Sequence, residues 1–277
     1  HLFSSFSHSR AVVFIDSSLN LAYKQAALSA GIQPVLFHHN DLEDLQERLE
    51  QVSGPSFCLV ITESLSEVEG DVANLSELAK IAERFRAFLC VEETCSFGIY
   101  GHQGRGLAAN LPGVDLVLGM FNKACGAYGS FLAGKQPLID LIVHFCDFFS
   151  PLSPLPPAAL GAIDALIDLI PEMDEKRVSI QESSMQLKEV LSVKGWPVSP
   201  FECHLFTLSL PDISFAKMLS KLYESGIFVS TVRPALGRKR IKFAANATHS
   251  VDDFEELKRS LITNELRQES TLEPVRP

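Results

Sequence analysis

Two carboxylates and one lysine are the residues of this chain best placed for chemistry. Glu92 and Glu93 close an apolar run, 87–91, and Lys123 follows a second such run, 115–119, among small residues. An acid at one strand end and a lysine just past a later strand is what pyridoxal phosphate (PLP) chemistry needs. The amine forms a Schiff base with the aldehyde, and a carboxylate facing the pyridinium nitrogen lets the ring accept electrons. Taken alone, Lys123 also reads as a surface lysine in a Gly/Ala loop. Glu92 also reads as a buried strand-end carboxylate satisfied by backbone N–H groups. Gly119, Gly126 and Gly129 around the lysine, with Glu92 one strand earlier, favour the site. A lysine beside such a ring must lose its proton at neutral pH, and desolvation is expected to lower its pKa.

The stretch SFGIYGHQGRG (96–106), then a strand and FNKACGAYGS (121–130), closely resembles the α-oxoamine synthases. These are fold-type I PLP enzymes that join an acyl-CoA to an amino acid with loss of carbon dioxide; the 8-amino-7-oxononanoate synthases are the nearest members. The likeness runs from about Ser9 to Leu261 and is strongest over 87–134. It implies that Lys123 is the Schiff-base lysine and Glu92 the pyridinium partner, where the family has Asp. The longer side chain moves the carboxylate by about one carbon–carbon bond, a large displacement for a hydrogen bond. It further implies that Cys95 stands where a His contacts the phenolic oxygen of PLP, and that Asn122 replaces a small residue before the lysine. Lys242 stands where an arginine grips the amino acid carboxylate; lysine keeps the charge but loses the two-point grip. Met120 falls at a phosphate-binding threonine, Pro154 where the partner subunit's threonine reaches the phosphate, and Leu21 follows Asn20 where the family has Asn-His.

Other constellations lead away from chemistry. Cys95 has no neighbouring His in sequence to act as base and reads more readily as a small buried thiol. The loop Gly98-x-x-Gly101-x-x-Gly104-x-Gly106 lacks the G-K-[ST] and strand–turn–helix frame of nucleotide motifs and reads as a turn of the family. His38 and His39 read as a strand end before a helix cap, not as metal ligands. No C-x-x-C spacing occurs among the six cysteines, so a zinc site is not expected, and scattered thiols suit a reducing cytoplasm.

Several elements must position these residues. Apolar runs at 11–15, 34–38, 57–61 and 87–91 alternate with helical patterns at 19–30, 41–52 and 72–86, which predicts a largely parallel α/β sheet. Runs at 115–119 and 130–134 add two strands, and the connection 120–129 is too short for a crossover helix, so one of them is expected to be antiparallel. Four prolines in PLSPLPP mark a shift of composition at Ser150. Helical patterns at 158–170 and 174–193 follow, then a strand (204–210), a helix (214–225) ending at Gly226, strands at 228–231 and 240–244, and a helix at 251–261. Residues 266–277 are expected to fray.

The reading is thus an α/β fold: a seven-stranded fold-type I sheet with helices on both faces, shortened at its start, plus a small C-terminal α+β domain. Residues 1–149 form the cofactor domain and 150–277 the small domain. Only ten residues precede the first strand, and Leu2-Phe3-Ser4-Ser5 looks like the end of an earlier strand and turn, either lost or lying before the start of this sequence. The expected activity is a PLP-dependent acyltransferase acting on an amino acid and an acyl-CoA. Two alternatives stand: a diverged, weakly active or inactive homologue serving as a partner or scaffold, and another PLP enzyme such as an aminotransferase or lyase. A cytoplasmic homodimer is expected. A net charge of −10 argues against nucleic-acid binding, no run reaches membrane-spanning length, and no signal peptide is read at the start.

Overall fold

The computed structural model describes residues 3, 11–52, 57–145, 155–192, 203–233 and 239–262. Within them the first half alternates strand and helix: β1 (Ala11–Asp16), α1 (Leu21–Ser29), β2 (Val35–Phe37), α2 (Leu42–Glu50), β3 (Phe57–Glu63), α3 (Leu75–Arg84) and β4 (Phe88–Glu92). β5 (Leu116–Met120), β6 (Ser130–Gly134) and α4 (Gln136–Phe145) follow. The sheet order is β2-β1-β3-β4-β5-β6, parallel from β2 through β5, with β6 antiparallel to β5. The short connection after β5 does force the reversal. Six strands are seen among the described residues against the seven expected. Pro154, Cys146, residues 266–277 and the expected domain boundary at 149/150 lie outside them, as do Leu2, Ser4 and Ser5.

Strand residues divide alternately between two cores. Phe14, Val60, Leu89 and Val91 pack with α2 and α3 residues such as Leu45 and Leu78. Val13, Ile15, Leu59, Ile61 and Cys90 pack on the other face with Ala27 of α1 and Ile142 of α4. Burial on both faces is why these strands read as continuous apolar runs. α3 starts three residues later than its pattern suggested, because Leu65 and Val72 form an isolated bridge and Asn74 caps the helix, accepting from Glu77 N–H.

The second half begins with α5 (Pro157–Leu169) and α6 (Asp174–Ser192). A three-stranded antiparallel sheet, order β7-β9-β8, is built from β7 (Leu205–Ser209), β8 (Ser230–Val232) and β9 (Arg240–Ala244). α7 (Asp212–Glu224) and α8 (Val251–Ile262) cover it through Met218, Leu222, Phe254 and Leu257. Gly226, at φ +74°, closes α7 as expected of a helix-terminating glycine.

The two sheets meet at the loops after β3 and β4. Val68 C=O accepts from Thr207 Oγ1 at 2.6 Å, Glu69 pairs with Arg240 at 2.6 Å, and Tyr100 OH lies 3.1 Å from His204 Nδ1. Leu65, Cys95, Cys203 and Leu205 form a small core at this seam.

The glycine-rich loop is a brace built around Glu93. Its carboxylate accepts from the N–H groups of Leu107 (3.0 Å) and Ala108 and from the Ser96 hydroxyl. Gly106 sits at φ +93°, and a Cβ there would run into that carboxylate. Gly106→Ala is therefore expected to cost about 1–3 kcal/mol, from a left-handed backbone and a displaced buried carboxylate. Urea unfolding checks it; an unchanged midpoint would contradict the brace.

Candidate functional site

Open α/β sheets bind ligands at the carboxyl ends of their strands, where the strand order reverses. Here β1 leads outward to β2 while β3, β4 and β5 run the other way. Asp16, Glu63 and Glu92 end β1, β3 and β4, and Glu63 and Glu92 are register partners on neighbouring strands. A cavity of about 880 Å³ opens there, walled by Glu63, Glu67, Glu92, Met120, Lys123 and Lys242, with Cys95 and Asn122 also on its lining. Five residues singled out from the sequence, Glu92, Cys95, Asn122, Lys123 and Lys242, thus face one cavity, whereas the Glu93 carboxylate turns into the glycine-rich loop.

Glu92 is buried, and its Oε1 accepts from the N–H of Thr94 at 3.0 Å and from the Thr94 hydroxyl. Thr94 Oγ1 also accepts the N–H of Met120 at 3.0 Å, which ties the end of β4 to that of β5. Burial pushes the Glu92 carboxyl up to about 7, against the Thr94 bonds that hold it down. Glu63 is driven well above the usual carboxylate range by burial and by the nearby Glu92 charge. The two strand-end acids therefore share the cavity without both carrying full charge at neutral pH.

Lys123 departs from expectation. Among the described residues its Nζ donates to Glu67 Oε1, at 2.6 Å, rather than to Glu92 or Cys95. Its pKa is raised, not lowered: burial acts downward, but the Glu67 carboxylate outweighs it. Lys242, buried on β9, donates to the same Glu67 oxygen. Burial holds the Cys95 thiol well above its ordinary value, which suits an inert buried thiol. Met120 and Leu21 line the cavity at the places read from the sequence.

Sequence reading missed Glu67 and Glu63. Glu63 carried the same signal as Glu92, an acid closing an apolar run. Glu67, in a polar loop 56 residues before Lys123, carried none. It also missed the partners of His39. His39 Nδ1 lies 2.9 and 3.0 Å from the two oxygens of Asp16, and Nε2 lies 2.7 Å from Asp71. Asn40 Nδ2 donates to Asp71 at 2.9 Å and Thr62 Oγ1 to Asp16 at 3.1 Å. His39 is thus no mere strand end: it joins β1, the loop before α2 and the loop that carries Glu67.

The model of the family described as aminotransferase class I and II matches residues 3–261. The chain belongs to that family. Among its curated relatives, a putative 8-amino-7-oxononanoate synthase of Bordetella pertussis is 33% identical over 251 residues, 88% of this chain and 63% of the relative. The 8-amino-7-oxononanoate synthase of Gluconacetobacter diazotrophicus is 32% identical over 86% of this chain and 61% of its own length. The chain thus spans somewhat under two thirds of these relatives. These names bear out the likeness to α-oxoamine synthases seen at 96–106 and 121–130. A serine palmitoyltransferase of Sphingomonas wittichii superposes at a TM-score of 0.85 with 23% identity, covering 94% of this chain and 68% of that one. The 8-amino-7-oxononanoate synthase of Francisella tularensis does so at 0.77 with 20% identity, over 94% and 78%. The fold is therefore that of the fold-type I transferases of the aminotransferase class I and II family.

Proposed function

We propose that the chain is a PLP-dependent acyltransferase that condenses an acyl-CoA with an amino acid and releases carbon dioxide, as an 8-amino-7-oxononanoate synthase does. One observation carries this reading: Lys123 and Glu92, an amine and a buried acid, face one cavity at the strand ends. The lining fits PLP, since it offers a primary amine and a carboxylate from neighbouring strand ends. When bound, PLP supplies the electron sink that carbanion chemistry requires. Lys123 Nζ is the amine that would hold the cofactor and move protons at the substrate. Glu92, its orientation fixed by Thr94, would pair with the ring nitrogen. Cys95 and Asn122 line the same wall, and Lys242 orients the substrate carboxylate as a point charge.

The test is release of free CoA thiol from an acyl-CoA that depends on an added amino acid, with carbon dioxide in equal amount. Amino-group transfer to a keto acid without thiol release would instead favour an aminotransferase; β- or α-cleavage of the amino acid would favour a lyase. Neither product would favour a diverged partner subunit, a reading to which the Lys123–Glu67 ion pair lends support.

PLP is expected to bind weakly for this family. Met120 stands where a hydroxyl would reach the phosphate, and a thioether donates nothing. A charge-assisted hydrogen bond contributes about 1.5–3 kcal/mol, so Met120→Thr is expected to tighten PLP by about tenfold or more. Absorbance titration reads this; sub-micromolar binding by the unaltered chain would show that other residues hold the phosphate.

The same reading has the chain work as a homodimer. None of the α5 residues is buried, and Leu160 and Ile167 on it, like Val143 and Phe145 on α4, are about half exposed. Such apolar surface calls for cover. Sedimentation is expected to give a dimer at micromolar concentration, and a clean monomer would count against it. A cytoplasmic setting accords with the five described cysteines, all free thiols.

A further inference from the structure

One carboxylate lies between the two lysines on which the proposed function depends. Glu67 Oε1 accepts from Lys123 Nζ at 2.6 Å and from Lys242 Nζ, bridging the loop after β5 to strand β9. The side chain is well placed to persist there. Its own N–H donates to Glu63 Oε2 at 2.7 Å, and the two following residues are fastened to Thr207 and Arg240 of the second sheet. The loop is fastened again at its far end, where Asp71 meets His39. Glu67 is therefore a fixed anion inside the cavity and not a mobile surface acid.

We infer that Glu67 is an internal stand-in for a substrate carboxylate: it occupies Lys242 and holds the Lys123 amine as an ammonium. It thereby sets both the carboxylate affinity of the cavity and the pH at which Lys123 becomes a nucleophile. This inference rests on the proposed function for the roles of Lys123 and Lys242. The geometry makes the competition direct, because one oxygen serves both cations and an incoming carboxylate must take Lys242 from it. The other charged or titratable groups that face the cavity or these lysines are Tyr23, Glu63, Glu92, Cys95, His204 and Arg233. Burial and the two lysine charges hold His204 at about 4, so it is neutral and adds no competing cation. Glu67 itself is held below its ordinary value by Lys123 and Lys242, against burial, so it stays ionised at neutral pH. An isosteric neutral residue at 67 leaves Lys123 partly buried, with the Lys242 charge beside it, and both effects favour the free amine.

Competitive acetylation with acetic anhydride across pH 7–11 (roughly the range in which lysines titrate), read by peptide mass spectrometry, tests this without cofactor. Glu67→Gln is expected to lower the Lys123 midpoint by about one pH unit, which is about tenfold more labelling at pH 8. Propionate, a carboxylate without an amine, is expected to protect Lys242 in Glu67→Gln and not in the wild-type chain at the same concentration. Exposed Lys80 is the control in every sample. Lys242→Met, should Glu67→Gln fold poorly, removes a neighbouring cation and is expected to raise the Lys123 midpoint. An unchanged Lys123 midpoint in Glu67→Gln, equal protection by propionate in both chains, or a fall in Lys242→Met would overturn the inference. Because no PLP or acyl-CoA is present, failure of the cofactor reading leaves these results standing. An unchanged midpoint in a chain that binds PLP would sink only the role of Glu67.

Discussion

Lys123→Ala is expected to remove acyltransfer by on the order of 10²–10⁴-fold, with the fold intact. The lower bound is the contribution of a positioned general acid–base group alone. Loss of the covalent hold on the cofactor adds to it. Lys123 pairs with Glu67 and its side chain is over a third exposed, so its truncation is expected to leave both cores unchanged. The paired measurement is steady-state thiol release alongside a urea midpoint. A large loss of rate with an unchanged midpoint supports the assignment. Equal rates in both chains would remove Lys123 from the chemistry.

The second large effect is on stability. His39→Leu is expected to destabilise the chain by about 3–5 kcal/mol, because it leaves two paired carboxylates, one of them wholly buried, without their cation. The pH dependence carries a definite sign. Asp16 and Asp71 raise His39 to about 10 from an unfolded value near 6.5, against burial, which alone would lower it. The folded state thus binds the proton more tightly than the unfolded one. The contribution is full below about pH 6.5 and is lost as pH rises toward 10. Asp16 acts in the opposite direction: the His39 bonds hold it below its ordinary value, against burial, so its share is present above about pH 4 and lost in stronger acid. Stability should therefore be highest between roughly pH 4 and 6.5 on this account. In His39→Leu the fall toward pH 10 should flatten. A wild-type chain whose stability rises from pH 7 to 9 would contradict the charged network.

The order of elements was legible because both faces of the first sheet are buried, which leaves uninterrupted apolar runs, while α2 and α3 keep amphipathic stripes. The β5–β6 reversal followed from chain length alone. What local pattern does not carry is pairing at a distance. His39 looked like a strand end because its partners lie 23 and 32 residues away in sequence. Lys123 was expected to lose its proton more easily than a free lysine. Burial acts in that direction, but the Glu67 carboxylate, 56 residues away in sequence, is brought beside it only by the fold. Glu63 is a different kind of miss: it closes an apolar run as Glu92 does, and the same rule applied one strand earlier finds it. The glycine-rich loop was recognised as a turn, but its reason, the Glu93 carboxylate filling the space beside Gly106, needed coordinates.

The most direct test of the account is addition of PLP to the purified chain, followed by sodium borohydride reduction and peptide mapping. The account predicts a new absorbance near the visible edge and reductive fixation of the cofactor on Lys123, lost in Lys123→Ala. No absorbance change at high PLP, or fixation spread over surface lysines such as Lys80 with Lys123 unmodified, would contradict it.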